Sequence, residues 1–195
     1  MVDIPDEDPL ELVLLCDVPH LLKAARNGLV NNKEFTVPEH MVKKYNLPCN
    51  KIKYSVIEKL VNFVATKEMK IAPHLKKHFL KLNNWSKMNV DPAKYVLSRE
   101  AANAIRWCIK HYPEDFPVTD ETTAHFCEMF SKFYDLGNSR SSSICYNKYN
   151  LERRCQMMAE FRDYYISLKM SSKQRDALAF KTGCDSICQW LRVVG

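Results

Sequence analysis

Apolar positions recur along most of this chain at helical rather than strand spacing. Residues 53–65 put Val56, Leu60, Phe63 and Val64 on one stripe, which predicts an amphipathic helix. A second helix is predicted over 92–112, with Asp91 as N-cap and Pro92 at the first helical position. Its stripe runs Leu97, Ala101, Ile105, Cys108, Tyr112, and Pro113 and Pro117 end it. Thr119 caps a third helix, in which Asp120 and Glu121 suit the positive end of the helix dipole. That helix is expected to bury Thr123, Phe126, Cys127 and Phe130 before Gly137 stops it. A polar hinge at 138–143 leads to a fourth helix, about 150–168, with Met157, Phe161, Tyr164 and Leu168 inward. Ser171 or Ser172 then restarts the chain toward a last amphipathic piece at 187–194. The exception is the run 12–16, short, apolar and ended by Asp17, which reads as a buried strand. Pro19 opens a helix behind it that carries His20, Lys23, Arg26 and Asn27 at three- to four-residue spacing. The expected fold class is mainly α, a helical bundle preceded by one strand–helix unit.

Composition narrows the class. With 195 residues and 46% apolar content the chain can bury a core of its own. No apolar run approaches the length of a membrane span and the acidic start is no signal peptide, so the chain reads as soluble and intracellular. The eight cysteines fall largely at apolar positions of periodic segments, which predicts reduced, buried thiols. Net charge is +6, which permits an anionic partner without requiring one. The stretch 67–87 is rich in lysine, has Glu68 as its only acid and is interleaved with His74, His78 and Trp85. Its charge pattern favours a solvated helix face over a phosphate-facing patch. Four glycines, none in a phosphate loop, leave a Rossmann or Walker-type site unsupported.

Three constellations carry candidate chemistry. Asp17, a carboxylate at a strand end beside a cationic helix, is the setting in which nucleases hold a divalent metal, although such a site needs more than one carboxylate. Asp135 and Asn138 stand three apart at a helix end, where a carboxylate and an amide can meet the N1 and N2 donors of guanine. Spacing alone favours the plainer reading, a helix end facing water. Lys87 precedes a helix start whose free N–H groups can bind phosphate, and Ser98 adds a hydroxyl two turns later. Here too an ordinary capped helix is the more frequent arrangement. His74 and His78 have the spacing of a metal pair but no carboxylate near them in sequence, and Cys184 and Cys188 lack a second pair of ligands.

Taken in order, these segments resemble the P-element transposase family, including relatives that carry a THAP DNA-binding domain. Residues 17–27 are similar to its Asp-x-x-His-Leu-x-Lys-x-x-Arg-Asn motif, residues 87–90 to Lys-Met-x-Val, and residues 133–140 to Trp-Phe-Asp-x-x-Asn-Ser-Arg. The resemblance implies a strand–helix fragment of an RNase H-like fold over 1–30 and a helical GTP-binding insertion domain over 31–195. It implies that Asp17 matches the second catalytic, metal-holding aspartate. By the same resemblance Lys87, Val90 and Ser98 lie at the GTP phosphates and sugar, Tyr134 packs near the base, and Asp135 and Asn138 read its edge. Mg²⁺ can accompany the nucleotide. DNA or full-length transposase are the implied macromolecular partners, and the implied location is the nucleus.

Two departures from the family pattern bear on affinity. Asn89 stands where the family often has lysine and Ser131 where it has asparagine. Loss of one charge-assisted phosphate contact costs about ten- to hundredfold, so weak GTP binding is expected. The family's first catalytic aspartate and its Asn-Gln-Asp-x-x-Glu segment have no counterpart here, so a catalytically incomplete copy without strand-transfer or nuclease activity is expected. The alternative is a DNA- or transposase-interaction module that acts through a basic helical surface and binds no nucleotide.

Overall fold

The computed structural model describes residues 17–67, 70–81, 83–138, 150–170, 182–186 and 189. The strand expected at 12–16 lies outside them, as do the hinge after Asn138 and all but one residue of the piece expected at 187–194. Helix α1 (Val18–Asn32) begins after Asp17, with Pro19 in its first turn. It buries Val18, Leu21, Leu22, Ala25 and Leu29, an i, i+3, i+4 stripe that faces α5 (Val90–Val96) and α7 (Glu121–Gly137). Arg26 sits on the same buried face with no exposed surface, so the polar set expected on this helix is split: His20 is exposed while Arg26 is inside.

Two short strands, unanticipated in the sequence, follow. β1 (Glu34–Thr36) pairs antiparallel with β2 (Lys51–Lys53), with α2 (Glu39–Lys44) between them. Phe35 opposes Ile52 and both are fully buried. The exit from α8 (Leu151–Ser167) clasps this edge, since Thr36 and Lys169 exchange N–H···O bonds of 2.9 Å. Strands of three residues are too short to display period-two alternation, which is why the pattern missed them.

Helix α3 (Tyr54–Thr66) forms as expected, with Val56 and Leu60 buried and Phe63 and Val64 half-buried. The lysine-rich stretch after it is not a helix face. It runs through bends, a 3₁₀ turn (Lys77–Leu80) and the short α4 (Asn84–Met88).

The helix expected over 92–112 is two helices. Asn89, not Asp91, caps α5, its side chain accepting from the Asp91 N–H, so Pro92 falls at the third position. Ser98 then takes an extended conformation and caps α6 (Arg99–His111), accepting from Ala101 N–H at 3.0 Å. The apolar stripe continues across this break, which hides it from a periodicity argument.

A 3₁₀ turn (Val118–Asp120), rather than a Thr119 cap, leads into α7. Asp120 is buried there and paired with Lys59 Nζ at 2.8 Å. Alanines 101, 102 and 104 let α6 approach α7 closely. Phe126, Phe130 and Phe133 of α7 meet Phe35 and Phe161 in one core. Each such ring contributes about 1.5–3 kcal/mol by leaving water. Among the described residues, Cys49, Cys108, Cys127, Cys155 and Cys184 carry free thiols. Among the described residues, no helix is long and apolar enough to cross a membrane.

Candidate functional site

The last turns of α7, the start of α6 and the start of α8 converge on two adjoining chambers. The first, about 220 Å³, is lined by Lys94, Tyr95, Ser98, Arg99, Glu100, Ser131, Tyr134 and Asp135, with Leu97 at its back. The second, about 320 Å³, is lined by Arg99, Lys132, Asp135, Leu136, Asn150, Arg153, Arg154 and Met157. Arg99 and Asp135 belong to both walls.

Three residues singled out in the sequence, Ser98, Tyr134 and Asp135, therefore meet in the first chamber although 36 and 37 positions separate Ser98 from Tyr134 and Asp135 in the chain. Ser98 Oγ donates to Tyr95 O at 2.8 Å while capping α6, so its hydroxyl is held in place. Tyr134 is positioned by Asn138, whose Nδ2 donates to the phenol oxygen at 2.9 Å. Asn138 thus touches Tyr134 instead of lining either chamber. Lys94 Nζ lies 5.6 Å from the Tyr95 ring centroid and 5.9 Å from that of Tyr134, a cation over two aromatic faces. Asp135 faces Arg99 across 3.7 Å, and because both side chains are more than half exposed the pair is worth no more than about 1 kcal/mol. The separation leaves Arg99 loosely held.

Lys87 is exposed and Val90 half-buried, and neither lines either chamber. The sequence-based expectation that they join Ser98 and Asp135 in one ligand shell is not what the chambers display. Both sit on the α4–α5 corner, which is tied to α1: Lys23 Nζ donates to Met88 O at 3.1 Å and Arg26 Nη2 to Ser86 O at 2.5 Å. Asp17 is exposed at the start of α1 and makes no side-chain capping bond. Among the described residues, no group of three His, Cys, Asp or Glu side chains is arranged to hold a metal ion.

Two supports stiffen the chambers. Behind the first, Tyr95 is stacked between His74 at 5.5 Å and Phe79 at 5.7 Å. His74 Nδ1 also meets Glu100 Oε2 at 2.8 Å, so the carboxylate missing near His74 in sequence arrives from α6. Behind the second, Glu128 holds Lys132 at 2.8 Å and Arg106 at 2.7 Å. Burial alone raises the Glu128 carboxyl, but the hydrogen bonds from Lys132 and Arg106 outweigh it and hold the group down at about 2.

The donor set fits a purine nucleotide carrying phosphates. A carboxylate for paired N–H groups and an aromatic ring stand beside five cations within two joined cavities, and the larger cavity reaches the lower end of the small-ligand range. Sequence reasoning missed Lys94, Arg99, Lys132, Arg153 and Arg154. One signal was present: paired arginines in the first turn of a helix oppose its dipole and ask for an anion.

A model of the TNP-like, GTP-binding insertion domain matches residues 19–150. The chain belongs to this family. The insertion domain is also similar to the P transposase of Drosophila melanogaster, 24% identical over 143 residues, which are 72% of this chain and 17% of the relative. Among solved structures it resembles a chain of the Drosophila P element transposase strand transfer complex, with a TM-score of 0.75 at 19% identity. That match covers 97% of this chain and 42% of the other, so the chain spans less than half of either relative. The mainly helical architecture and the P-element transposase resemblance read from the three motifs both hold.

Proposed function

We propose that this insertion domain binds GTP as a structural ligand and does not hydrolyse it. The observation that supports this reading is the convergence of Ser98, Tyr134 and Asp135 on one chamber. Asp135 can accept from the N1–H and N2–H of guanine, a pattern that adenine lacks. Tyr134, fixed by Asn138, offers its ring to the base, and Ser98 stands on the sugar side. Lys87 and Val90 act from the neighbouring corner, and Mg²⁺ can accompany the phosphates. When bound, the nucleotide supplies a guanine edge and a polyanion that link α6 to α7.

The test is a thermal melt of the chain with GTP or ATP. Binding to the folded state alone adds about 2.7 kcal/mol of stability at a ligand concentration one hundred times Kd. GTP is expected to raise the melting temperature more than ATP, and Asp135→Ala to erase the difference. Equal shifts from the two nucleotides would sink the reading.

We divide the chain at residue 30, into an RNase H-like strand–helix unit carrying Asp17 and the insertion domain at 31–195. Because α1 buries Val18, Leu21, Leu22 and Leu29 within the bundle, the two parts are expected to melt together. Asp17 alone supplies one ligand to a divalent metal, so strand transfer is not an activity proposed for these residues. A nuclear location and contact with DNA or full-length transposase accompany the family reading. A second reading, a basic interaction module without nucleotide, is favoured by the exposed Lys70, Lys76, Lys77 and Lys81. It predicts DNA binding that weakens steeply with salt, and binding unchanged between 50 and 200 mM salt, roughly the range over which phosphate contacts are lost, would remove it.

A further inference from the structure

The formal charges on the walls of the first chamber cancel. Lys94 and Arg99 bring two cations, and Glu100 and Asp135 bring two carboxylates. A chamber balanced in this way attracts an anion only if one carboxylate is turned elsewhere. Glu100 is turned. Its Oε1 accepts from the His74 backbone N–H at 3.0 Å, and its Oε2 meets His74 Nδ1 at 2.8 Å. The imidazole lies 5.5 Å from the Tyr95 ring at an interplanar angle of 13°, so the stack sets the plane of the ring. The backbone bond sets where the residue sits, and together they aim Nδ1 at Glu100. Glu100 stands in the first turn of α6, where a carboxylate suits the dipole without any side-chain partner. Two contacts to one residue 26 positions away go beyond that role. His74 is mainly outside the core, with 61% of its side chain exposed, so packing does not account for it.

We propose that His74 is a positioning residue that withholds the Glu100 carboxylate from the first chamber, leaving the chamber net positive toward an anionic ligand. The identity of that ligand rests on the nucleotide reading, whereas the withholding is a property of the chain alone. A backbone N–H and an imidazole nitrogen occupy both carboxylate oxygens, so Glu100 does not compete with the ligand for Lys94 and Arg99. Loss of His74 Nδ1 leaves Oε2 without that partner and returns a negative charge to the wall.

The experiment compares the full chain as wild type, as His74→Phe and as the double variant His74→Phe/Glu100→Gln, at a single pH. Phenylalanine keeps a ring on Tyr95 and removes the nitrogen that meets Oε2. Carbodiimide with glycine ethyl ester labels accessible carboxylates, and mass spectrometry reads the rate at Glu100. That rate is expected to rise severalfold in His74→Phe. Calorimetric titration with GTP and ATP then reads the consequence for binding. A carboxylate returned beside a polyanion should weaken GTP by about tenfold in His74→Phe, and the double variant should recover most of the loss. If His74 only propped up its loop, no recovery would follow, because the second substitution gives the loop no new support. Unchanged labelling of Glu100 in His74→Phe overturns the proposal, and so does a GTP affinity that falls equally in both variants or in neither. If labelling rises but neither nucleotide binds wild type, the withholding stands and the nucleotide reading falls. If GTP and ATP bind alike and both follow the loss and recovery, the withholding stands and the guanine reading falls. If GTP is preferred over ATP while labelling and affinity ignore His74→Phe, the guanine reading stands and the withholding falls.

Discussion

Between α7 and α8, Phe130 and Phe133 meet Phe161 with centroids 5.0 and 4.3 Å apart, the second pair stacked. Between α1 and the α4–α5 corner, the long side chains of Arg26 and Lys23 instead reach across to two carbonyl oxygens. The first seam is held by area removed from water, which is tolerant of direction and costly to hollow out. The second is held by direction. It also carries a penalty, because Arg26 Nε and Nη1 are buried and find no hydrogen-bond partner. Burial lowers the Arg26 pKa, with the Tyr54 hydroxyl acting weakly the other way, as expected for a charge that has lost its water. The difference teaches that the bundle's stability and the placement of its candidate site are separate properties. The aromatic seam supplies the former, and the polar seam fixes the corner bearing Lys87 and Val90 at little or no net gain.

The sharpest way to break this comparison is a pair of substitutions followed by chemical denaturation. Phe130→Ala is expected to cost about 3–5 kcal/mol, through lost burial and the cavity left behind. Arg26→Met keeps most of the volume and removes a poorly satisfied buried charge, so it should change stability by less than about 1.5 kcal/mol or increase it. Similar losses in both variants would mean that the guanidinium stabilises the fold outright.

Acid sharpens the contrast next. Burial holds His125 down to about 4, and the opposing pull of Glu128 is the smaller effect. Its ring packs on Tyr45 at 4.7 Å, and its Nε2, buried, has no hydrogen-bond partner. A histidine depressed in the folded state binds fewer protons there than in the unfolded chain, so stability is full above about 6.5 and falls as pH drops toward 4. Glu128, held at about 2, extends the loss below its ordinary range near 4.5. The His125 limb amounts to at most about 3 kcal/mol. His125→Phe should flatten the unfolding free energy between pH 6.5 and 4, a range set by the ordinary histidine value and the depressed one. A pH dependence unchanged in that variant would place the titration elsewhere.

A smaller effect is expected where the two regions meet. A Cβ at Gly137 would lie 2.4 Å from Val18 Cγ2 and 3.2 Å from its Cβ, so the end of α7 leans directly on the first turn of α1. Gly137 has no positive φ, so alanine would gain helix propensity of about 1 kcal/mol while overpacking costs about 1–3 kcal/mol. Gly137→Ala should therefore lose about 1 kcal/mol or somewhat more, and Val18→Ala in the same chain should cost less than it does alone. Strict additivity in that cycle would show that the two helix ends are not in contact in solution. The least effect is expected from Lys23→Ala, under about 1 kcal/mol, since its bond to Met88 is exposed.

How much of this was legible in the sequence depends on distance along the chain. The stripes through Val56 and Leu60, and through Phe126 and Phe130, are local facts, and the helices formed where those stripes lay. The break at Ser98 was invisible because Leu97 and Ala101 keep the stripe going while one hydroxyl ends one helix and starts the next. Tyr134 and Asp135 could be singled out because they share a short motif. Arg153 and Arg154 could not be joined to them, because that contact exists only once α8 has folded back beside α7. Likewise, the burial of Arg26 depends on α4 arriving 60 residues later, which no local pattern encodes.

The thiols buried along the central helices give the molecule a clock. Burial pushes Cys127 up to about 12 and Cys108 up to about 11, so at neutral pH neither presents a thiolate to an alkylating reagent. Each can be labelled only in molecules whose α6–α7 contact has momentarily parted. The fraction labelled after a timed pulse thus counts openings of the core, residue by residue, with no probe attached.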